Sequence, residues 1–262
     1  MWNLIKAQNY QIKGDNIILY ALIYMLFMPT GLTLVNAGFQ IDRFSGGMLM
    51  AQMGAMFATE LVMVLIIMVT RICGWDMNDK TINYEIMAGH SRGKIYFARV
   101  TVSMMWSLVC AVCTLLIPLG VFTLINGWGQ NMNVSDLVIR AVLMLFVLFR
   151  LMGEVVLLTF LAGKGNTAVV AGFALFGASA FGQMLYQEFT GKTITLLTAY
   201  ANLNHLFDFS NYKLEYIGGE DIPVFLTEIS TSTVVSTILV SLIVGIECLE
   251  IGYRVFRKKD MN

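Results

Sequence analysis

Apolar residues in this chain cluster in six long blocks that are separated by short polar stretches. The blocks cover residues 17–35, 48–70, 100–125, 137–161, 167–186 and 230–253. An α-helix rises about 1.5 Å per residue, so each block is long enough to cross a hydrocarbon layer of about 30 Å. Lipid offers no hydrogen-bond partners to the backbone, whereas a helix satisfies its own. The pattern therefore predicts an all-α polytopic membrane protein with six transmembrane helices.

The composition agrees with this pattern. Of the 262 residues, 57% are hydrophobic and 13% are charged, whereas soluble domains are about 45–50% apolar and about 25% charged. The 17 Lys and Arg residues balance the 17 Asp and Glu residues, which excludes a nucleic-acid-binding protein because such proteins need a basic surface. Six spans leave no room for an added enzyme domain of about 100–150 residues. Residues 1–262 are thus predicted to form a single transmembrane domain.

Lysine and arginine residues are distributed unevenly between the predicted loops. Twelve lie in the two termini and in the loops after spans two and four, whereas Arg43, Lys192 and Lys213 lie on the opposite side. Cytoplasmic loops carry the excess of positive residues, so both termini are predicted to be cytoplasmic. Residues 1–13, which mix apolar residues with lysines, are predicted to form an amphipathic helix at the inner membrane interface. The alternative for this segment is a disordered tail.

The loop between spans two and three, residues 73–99, is too long for a simple connection. Asn78 or Asp79 can cap a helix, and Ile82 and Ile86 lie on one helical face. We therefore predict a short amphipathic helix over residues 78–89 that is rigidly joined to both spans. This helix either docks a partner or is a loop element without one.

The external loop between spans five and six, residues 187–229, is also long. Its aromatic-rich part, residues 193–209, is predicted to form short helices at the outer mouth of the protein. The acidic residues of the loops lie mainly on this side, so the outer face is predicted to be acidic.

The cytoplasmic loop also carries a motif. The run Asp79-Lys80-Thr81-Ile82 is followed by Ala88-Gly89-His90-Ser91-Arg92 and by Ile95-Tyr96. This arrangement resembles the loop between spans two and three of type-2 ABC-transporter permeases from Gram-positive bacteria, with Lys80 where the family pattern has glycine. The six spans, the amphipathic N-terminal helix, the long external loop and the basic tail agree with that family over the whole chain.

The resemblance implies the membrane subunit of an ATP-binding-cassette exporter in the bacterial plasma membrane. Two permeases, either two copies of this chain or one copy with a paralogue, would work with two separate ATPase subunits that bind ATP and magnesium. The chain itself would then be no enzyme and would need no cofactor. An amphipathic or hydrophobic substrate, such as a peptide, an antibiotic or a lipid-like compound, fits an apolar path.

The resemblance further implies that the helix over residues 78–89 is a coupling helix that docks on the ATPase. Ile82 and Ile86 would enter a groove of the ATPase, with Tyr84, Glu85 and Arg92 at the polar rim. The residues implied in coupling are Asn78, Asp79, Ile82, Tyr84, Glu85, Ile86, Met87, Gly89, His90 and Arg92.

The Gly-Lys-Thr run at 191–193 does not form a phosphate-binding loop, because the position five residues before Gly191 is Tyr186 rather than glycine.

Three charged residues lie deep in the predicted spans: Glu60, Arg150 and Glu154. A charge at the bilayer centre costs at least about 2.5–3.5 kcal/mol, so such residues face a partner or a cavity. Arg150 and Glu154 are four residues apart on one helical face, and Glu60 is an alternative partner for Arg150. The three residues form either a buried packing device or a polar lining of the substrate path.

A competing function follows from the same three residues. An ion-coupled secondary transporter would use Glu60, Arg150 and Glu154 as its coupling site. An intramembrane enzyme ranks last, because the spans contain no convergent pair of catalytic side chains.

Overall fold

A computed structural model describes residues 1–36, 45–78, 81–192, 194–217 and 220–258 of the chain. The helices are α1 (Trp2–Lys13), α2 (Asn16–Asn36), α3 (Gly46–Asn78), α4 (Ile82–Met87), α5 (Arg92–Asn126), α6 (Val134–Ala162), α7 (Gly165–Thr190), α8 (Ala199–Leu206) and α9 (Thr231–Lys258), and the strands are β1 (Tyr212–Ile217) and β2 (Glu220–Phe225). Within these residues, five helices are long and apolar enough to cross a membrane, or six if α1 and α2, which meet at 68°, form one broken span. The predicted all-α polytopic architecture is confirmed at this level.

The ends of the long helices follow from local capping. The Asn133 side chain accepts a hydrogen bond from the Ser135 N–H at 3.2 Å and starts α6. Gly163 and Gly191, with φ of 69° and 65°, end α6 and α7 in the left-handed conformation that favours glycine. Compared with the predicted spans, α3 and α5 are longer at the ends that join α4. The helices α3 and α5 therefore both extend beyond their apolar blocks toward α4.

Glycine pairs bring the long helices into close contact. α6 lies at the centre and packs against α3, α5, α7, α8 and α9. A Cβ on Gly153 of α6 would lie only 2.8 Å from the carbonyl oxygen of Gly245 on α9, and a Cβ on Gly74 of α3 would lie 2.9 Å from the Cα of Gly165 on α7. Backbones can approach this closely only where side chains are absent. These contacts determine where α9 and α7 lie relative to α6 and α3.

Aromatic side chains join α5, α6 and α9 near the α4 end of the bundle. The Tyr96 hydroxyl on α5 donates to the Leu249 carbonyl oxygen on α9 at 2.7 Å. Around Tyr96, ring centroids of neighbouring pairs lie 4.9 to 6.0 Å apart, a range typical of favourable aromatic contacts. The other members of this cluster are Phe97, Phe160, Tyr253 and Phe256. The three helices are therefore fixed to one another at the end that carries α4.

The segment between α7 and α9 contains one predicted feature and one unexpected feature. The helix α8 agrees with the prediction of short helices in this loop. The hairpin of β1 and β2, which pairs Tyr212 with Phe225 in an antiparallel register, was not predicted. Part of its signal was present in the sequence, because apolar residues alternate along β1 at Tyr212, Leu214 and Tyr216, and Gly218-Gly219 lies between the two strands.

Asn131 ties this hairpin to the loop between α5 and α6. Its side-chain Nδ2 donates to the Pro223 carbonyl oxygen at 2.9 Å, and its carbonyl oxygen accepts from the Phe225 N–H at 2.8 Å. The Ser45 hydroxyl donates to the Asn131 Oδ1 at 3.0 Å and adds the start of α3 to the same junction. The hairpin is thus fixed to the ends of three helices.

The predicted membrane orientation can be tested at two exposed residues. Tyr84 in α4 and Lys213 in β1 both expose their side chains, and the charge pattern places them on opposite sides. In a background that lacks the four native cysteines, a membrane-impermeant maleimide applied to intact cells should label Lys213→Cys. It should label Tyr84→Cys only after permeabilisation. Labelling of Tyr84→Cys but not Lys213→Cys on intact cells would contradict the orientation.

Candidate functional site

A buried arginine attaches the short helix α4 to the long helices. Arg99 on α5 is 1% exposed. Its Nη2 lies 2.7 Å from Oδ2 of Asp76 on α3 and 3.1 Å from Oε2 of Glu85 on α4. A guanidinium group that is removed from water needs opposite charges and acceptors nearby, and two carboxylates from two different helices supply them here. One residue thereby links α3, α4 and α5.

The two faces of α4 differ from the predicted arrangement. Ile82 is 1% exposed and belongs to the protein's own core, and Ile86 is half-buried against the same core. The prediction that Ile82 enters a partner's groove is therefore wrong, because this side chain is already enclosed. Met87 and Tyr84, at 81% and 71% exposed, are the large side chains that α4 presents outward. Glu85, predicted at a polar rim, is instead paired with Arg99.

Two predictions concerned the ends of α4. Asn78 is the last residue of α3, and Thr81 precedes α4 as its N-cap, so the prediction that Asn78 caps this helix is wrong. The alternative cap, Asp79, lies outside the described residues. Gly89 follows α4 with φ of 87°, as expected for a residue that ends a helix.

The last two residues implied in coupling, His90 and Arg92, contact neighbouring backbone. The His90 N–H donates to the Glu85 carbonyl oxygen at 3.2 Å, which closes the turn after α4. The Arg92 Nη1 donates to the Arg257 carbonyl oxygen at 2.8 Å, near the C-terminal end of α9. Carbonyl groups at a helix C-terminus lack partners within the helix, so Arg92 both caps α9 and joins it to the start of α5.

Arg150 joins the middle of α6 to the segment before α8. It is 3% exposed, and its Nε donates to the Glu154 Oε1 at 2.7 Å. Its Nη1 and Nη2 donate to the carbonyl oxygens of Leu196 and Leu197 at 2.9 and 2.7 Å. Of the two predicted partners, Glu154 rather than Glu60 forms the ion pair. The pair is electrically balanced, and the guanidinium group also holds two backbone carbonyls from a segment distant in sequence.

Arg140 binds the C-terminal end of α8, whereas Arg150 binds the residues just before its N-terminal end. Its Nη1 donates to the Leu206 carbonyl oxygen, and its Nε and Nη2 donate to the Thr227 carbonyl oxygen at 3.2 and 2.9 Å. Arg140 precedes Arg150 by ten residues on α6, which corresponds to about 15 Å of helix. The helix α8 therefore lies beside α6 between these two arginines, and the segment that precedes α8 enters the bundle. We call residues 194–206 the re-entrant segment.

Glu60 on α3 does not join the Arg150–Glu154 pair. Among the described residues no ion pair connects Glu60 with Arg150. The Tyr24 hydroxyl on α2 lies near the Glu60 carboxylate, while the Oε2 atom of Glu60 is buried with no hydrogen-bond partner in the described part of the chain. The three intramembrane charges thus form one pair and one separate carboxylate.

A cavity of about 200 Å³ lies beside the ion pair, between α3, α6, α7 and the start of α8. Its walls are mainly apolar and include Leu151 and Phe176. Its polar residues are Glu154, Tyr200, Ser179 and Thr198, and the hydroxyl oxygens of Ser179 and Thr198 lie 2.7 Å apart. An apolar cavity with a few polar groups at its edge is suited to an apolar ligand that carries one polar group.

A small polar recess between α7 and the two ends of the re-entrant segment contains His205 and Asp208. Partial desolvation, the largest cause, and the Arg140 guanidinium lower the pKa of His205, while Asp208 opposes them. A lowered pKa favours the neutral form of this imidazole. In the described part of the chain, no group of three or more His, Cys, Asp or Glu side chains is placed to hold a metal ion.

The sequence pattern does not predict the contacts by which Arg99, just before the third apolar block, and Arg140, near the start of the fourth, hold distant segments. Arg99 was counted only as a loop charge, and Asp76 was not singled out. The available signal was the presence of Asp76, Glu85 and Arg99 around one loop, since opposite charges on helices joined by a short element often pair. Arg140 offered no such signal, because its acceptors are backbone carbonyls.

Comparisons with models of known protein families, with curated proteins and with solved structures give no match for this chain. The loop motif and the contacts of Arg99, Arg140 and Arg150 are therefore the features from which a function can be inferred.

Removal of Arg150 should destabilise the fold. Arg150→Met leaves Glu154 without its cation and two backbone carbonyls without their donors, and breaking a buried pair costs about 3–5 kcal/mol. Glu154→Gln should cost less, because the amide oxygen still accepts from Nε. Thermal unfolding of the purified protein in detergent measures both effects.

The matched control is the Arg254–Glu250 pair on α9, which has the same four-residue spacing but is exposed. Arg254→Met should change the unfolding temperature little, because exposed pairs contribute little to stability. Equal unfolding temperatures for Arg150→Met and Arg254→Met would contradict the anchoring role of Arg150.

Proposed function

We propose that this chain is the membrane subunit of an ATP-binding-cassette exporter of the bacterial plasma membrane, with six spans and both termini in the cytoplasm. The observation that carries the proposal is the attachment of α4 to α3 and α5 through Arg99, while Tyr84 and Met87 remain exposed on α4. The motif that resembles type-2 permeases covers the same helix. A helix fixed to two spans, with large side chains facing outward, is suited to a partner that moves those spans.

The proposed partner is a cytoplasmic ATPase subunit that binds ATP and magnesium. Interfaces obtain most of their binding energy from a few anchors, among which aromatic residues are frequent. Tyr84 and Met87 are the candidate anchors here, in place of the enclosed Ile82. Two permease chains, identical or paralogous, would work with two ATPase subunits, and the permease itself would catalyse no reaction.

Movement of α4 would reach the opposite half of the protein through α3. Asp76 near one end of α3 is bound to Arg99. Toward the other end, a Cβ on Gly54 would collide with the Phe207 carbonyl oxygen, and the Phe57 and Phe207 ring centroids lie 5.0 Å apart. A shift of α3 as a rigid body would therefore displace the re-entrant segment and change the cavity beside Arg150. The apolar walls of that cavity support an amphipathic or hydrophobic substrate, such as a peptide, an antibiotic or a lipid-like compound.

A charge on the exposed face of α4 should disrupt docking. When the tagged chain is purified from its native membranes, an ATPase subunit should co-purify. Met87→Asp should reduce the co-purified ATPase at least about tenfold, because a charge opposes burial at the interface. Because the Met87 side chain is highly exposed, this substitution should leave the fold intact. Leu214→Asp, an exposed position on β1, is the control and should retain the ATPase. Full retention by Met87→Asp would remove the main support for the exporter.

Weakening the link between α4 and α5 should uncouple hydrolysis from transport. Glu85→Gln removes one of the two carboxylates at Arg99 but leaves Tyr84 and Met87 in place. The ATPase should still co-purify and hydrolyse ATP, while efflux per ATP hydrolysed should fall several-fold.

Efflux is measured with a panel of labelled amphipathic peptides and antibiotics in membrane vesicles. Glu250→Gln, in an exposed pair on α9, is the control for loss of a surface carboxylate. An unchanged ratio of efflux to hydrolysis for Glu85→Gln would contradict the coupling role of Arg99.

One observation favours the ion-coupled secondary transporter as a second candidate. The buried Oε2 of Glu60 has no partner in the described part of the chain, and an intramembrane carboxylate of this kind can bind a proton or another cation during transport. Efflux that persists after ATP depletion but stops when the ion gradient is dissipated would support this function over the exporter.

A further inference from the structure

A second cavity, of about 490 Å³, lies at the junction of α1, α2 and the α4 end of α3. It is separate from the cavity beside Arg150 and lies next to the bend between α1 and α2. The side chains that matter for its chemistry are Gln8, Asp15, Arg71, Trp75 and Asp76. We call this cavity the elbow site.

Two residues of the elbow site have buried polar atoms that lack partners. Gln8 is 6% exposed, and neither its Oε1 nor its Nε2 has a hydrogen-bond partner in the described part of the chain. Arg71 donates from Nε to the Asp15 Oδ2 at 2.7 Å and its guanidinium carbon lies 3.4 Å from the centroid of the Trp75 ring, but its Nη1 is buried without a hydrogen-bond partner among the described residues. Unpaired buried polar groups are costly, and most proteins avoid them. The two side chains therefore carry two donors and one acceptor whose bonds are unmade, and a ligand in the cavity reaches these buried atoms once the side chains turn toward it.

The surroundings of the elbow site are those of a membrane surface. Trp2 and Tyr10 on α1 are exposed, as is Trp75 at the cavity itself, and amphipathic aromatic residues are enriched where lipid headgroups meet acyl chains. Just past the cavity, the first turns of α2 expose Leu19 and Tyr20. The elbow site thus lies where polar surface gives way to an apolar, lipid-facing helix.

We propose that the elbow site binds the headgroup of a phospholipid from the adjacent leaflet. The phosphate oxygens accept from Arg71 Nη1 and from Gln8 Nε2, and a hydroxyl or ammonium group of the same headgroup donates to Gln8 Oε1. Rotation of the Gln8 side chain, which already lines the cavity, brings its amide to the ligand. The acyl chains extend along the exposed start of α2. This site does not depend on the proposed transport function.

The chemistry selects headgroups that combine a phosphodiester with O–H or N–H donors. Phosphatidylglycerol and phosphatidylethanolamine meet both conditions. Phosphatidylcholine lacks the donors, because its ammonium group is fully methylated. The charges at the site are balanced, since Arg71 pairs with Asp15 and Asp76 pairs with Arg99. Hydrogen-bond donors rather than net charge are therefore expected to decide which lipid binds.

The experiment measures the unfolding temperature of the full chain in detergent as each lipid is added. Phosphatidylglycerol and phosphatidylethanolamine should raise the unfolding temperature at concentrations at which phosphatidylcholine has little effect. Glycerol 3-phosphate tests whether a soluble phosphate compound binds the site. It should bind far more weakly because it has no acyl chains. Equal stabilisation by phosphatidylcholine would overturn the headgroup selectivity, and equal stabilisation by glycerol 3-phosphate would overturn the assignment to a membrane lipid.

Gln8→Leu separates ligand binding from a structural role. Leucine has a similar size and no polar atoms, so the unfolding temperature without lipid should stay the same or rise. The apparent affinity for phosphatidylglycerol should fall about tenfold, as expected for the loss of hydrogen bonds to a charged group. A lower unfolding temperature without lipid, together with unchanged lipid affinity, would show that Gln8 serves the fold and would overturn the proposal.

Two further variants complete the test. Arg71→Lys keeps the positive charge beside Asp15 but removes Nη1, so it should also weaken phosphatidylglycerol binding. Gln183→Leu, on α7 and far from the elbow site in the chain, removes an amide that donates to the Ile194 carbonyl oxygen at 3.4 Å. It should leave lipid binding unchanged. A loss of lipid binding in Gln183→Leu as large as in Gln8→Leu would contradict the assignment to the elbow site.

Discussion

Buried guanidinium groups determine where the loops of this protein lie. An arginine side chain carries five N–H donors and remains charged, so in apolar surroundings it needs acceptors supplied by the protein itself. Arg99, Arg140 and Arg150 are each at most 5% exposed. Each of them binds a segment that is distant in sequence: α4 for Arg99, the end of α8 and Thr227 for Arg140, and the start of the re-entrant segment for Arg150. Without these acceptors the arginines would carry the cost of unpaired buried charge.

Because of these contacts, α4 at one end of the bundle and the re-entrant segment at the other are both attached to the long helices. At one end, α4 is attached to α3 and α5, and the aromatic cluster around Tyr96 fixes α5 to α6 and α9. At the other end, the re-entrant segment is attached to α6 and packs against α3. The close glycine contacts between α6 and α9 and between α3 and α7 leave little freedom for the helices to slide separately. A force on α4 would then be carried mainly by rigid movement of α3, which the proposed exporter requires.

The sequence predicted the helices well but predicted the side-chain partners poorly, for physical reasons. Blocks of apolar residues specify membrane-length helices directly, because length and hydropathy are local properties. The end of α4 at Gly89 could be predicted for the same reason, because it depends on a single residue. Arg140 and Arg150, in contrast, bind backbone carbonyls, and a carbonyl group has no sequence signature. The pair of Arg150 with Glu154 was foreseen from its four-residue spacing, but its bonds to Leu196 and Leu197 were not.

The error at Ile82 has a related cause. An apolar stripe on a short helix shows that one face is buried, but it does not show whether the protein's own core or a partner covers that face. Here the core covers it, and the outward face carries Tyr84 and Met87. The hairpin was a different kind of miss: the alternation of apolar residues along β1 before Gly218-Gly219 was a usable signal, whereas the expectation of short helices covered only residues 193–209.

An engineered disulfide tests directly whether the re-entrant segment enters the bundle. The hydroxyl oxygens of Ser179 on α7 and Thr198 lie 2.7 Å apart, about midway along α7. In a background without the native cysteines, Ser179→Cys combined with Thr198→Cys should form an intramolecular disulfide on mild oxidation, detected as loss of maleimide labelling that a reductant restores. Gln187→Cys, closer to the C-terminal end of α7, should not pair with Thr198→Cys. A disulfide in the Gln187 pair and none in the Ser179 pair would place the segment outside the bundle and contradict the anchoring by Arg150.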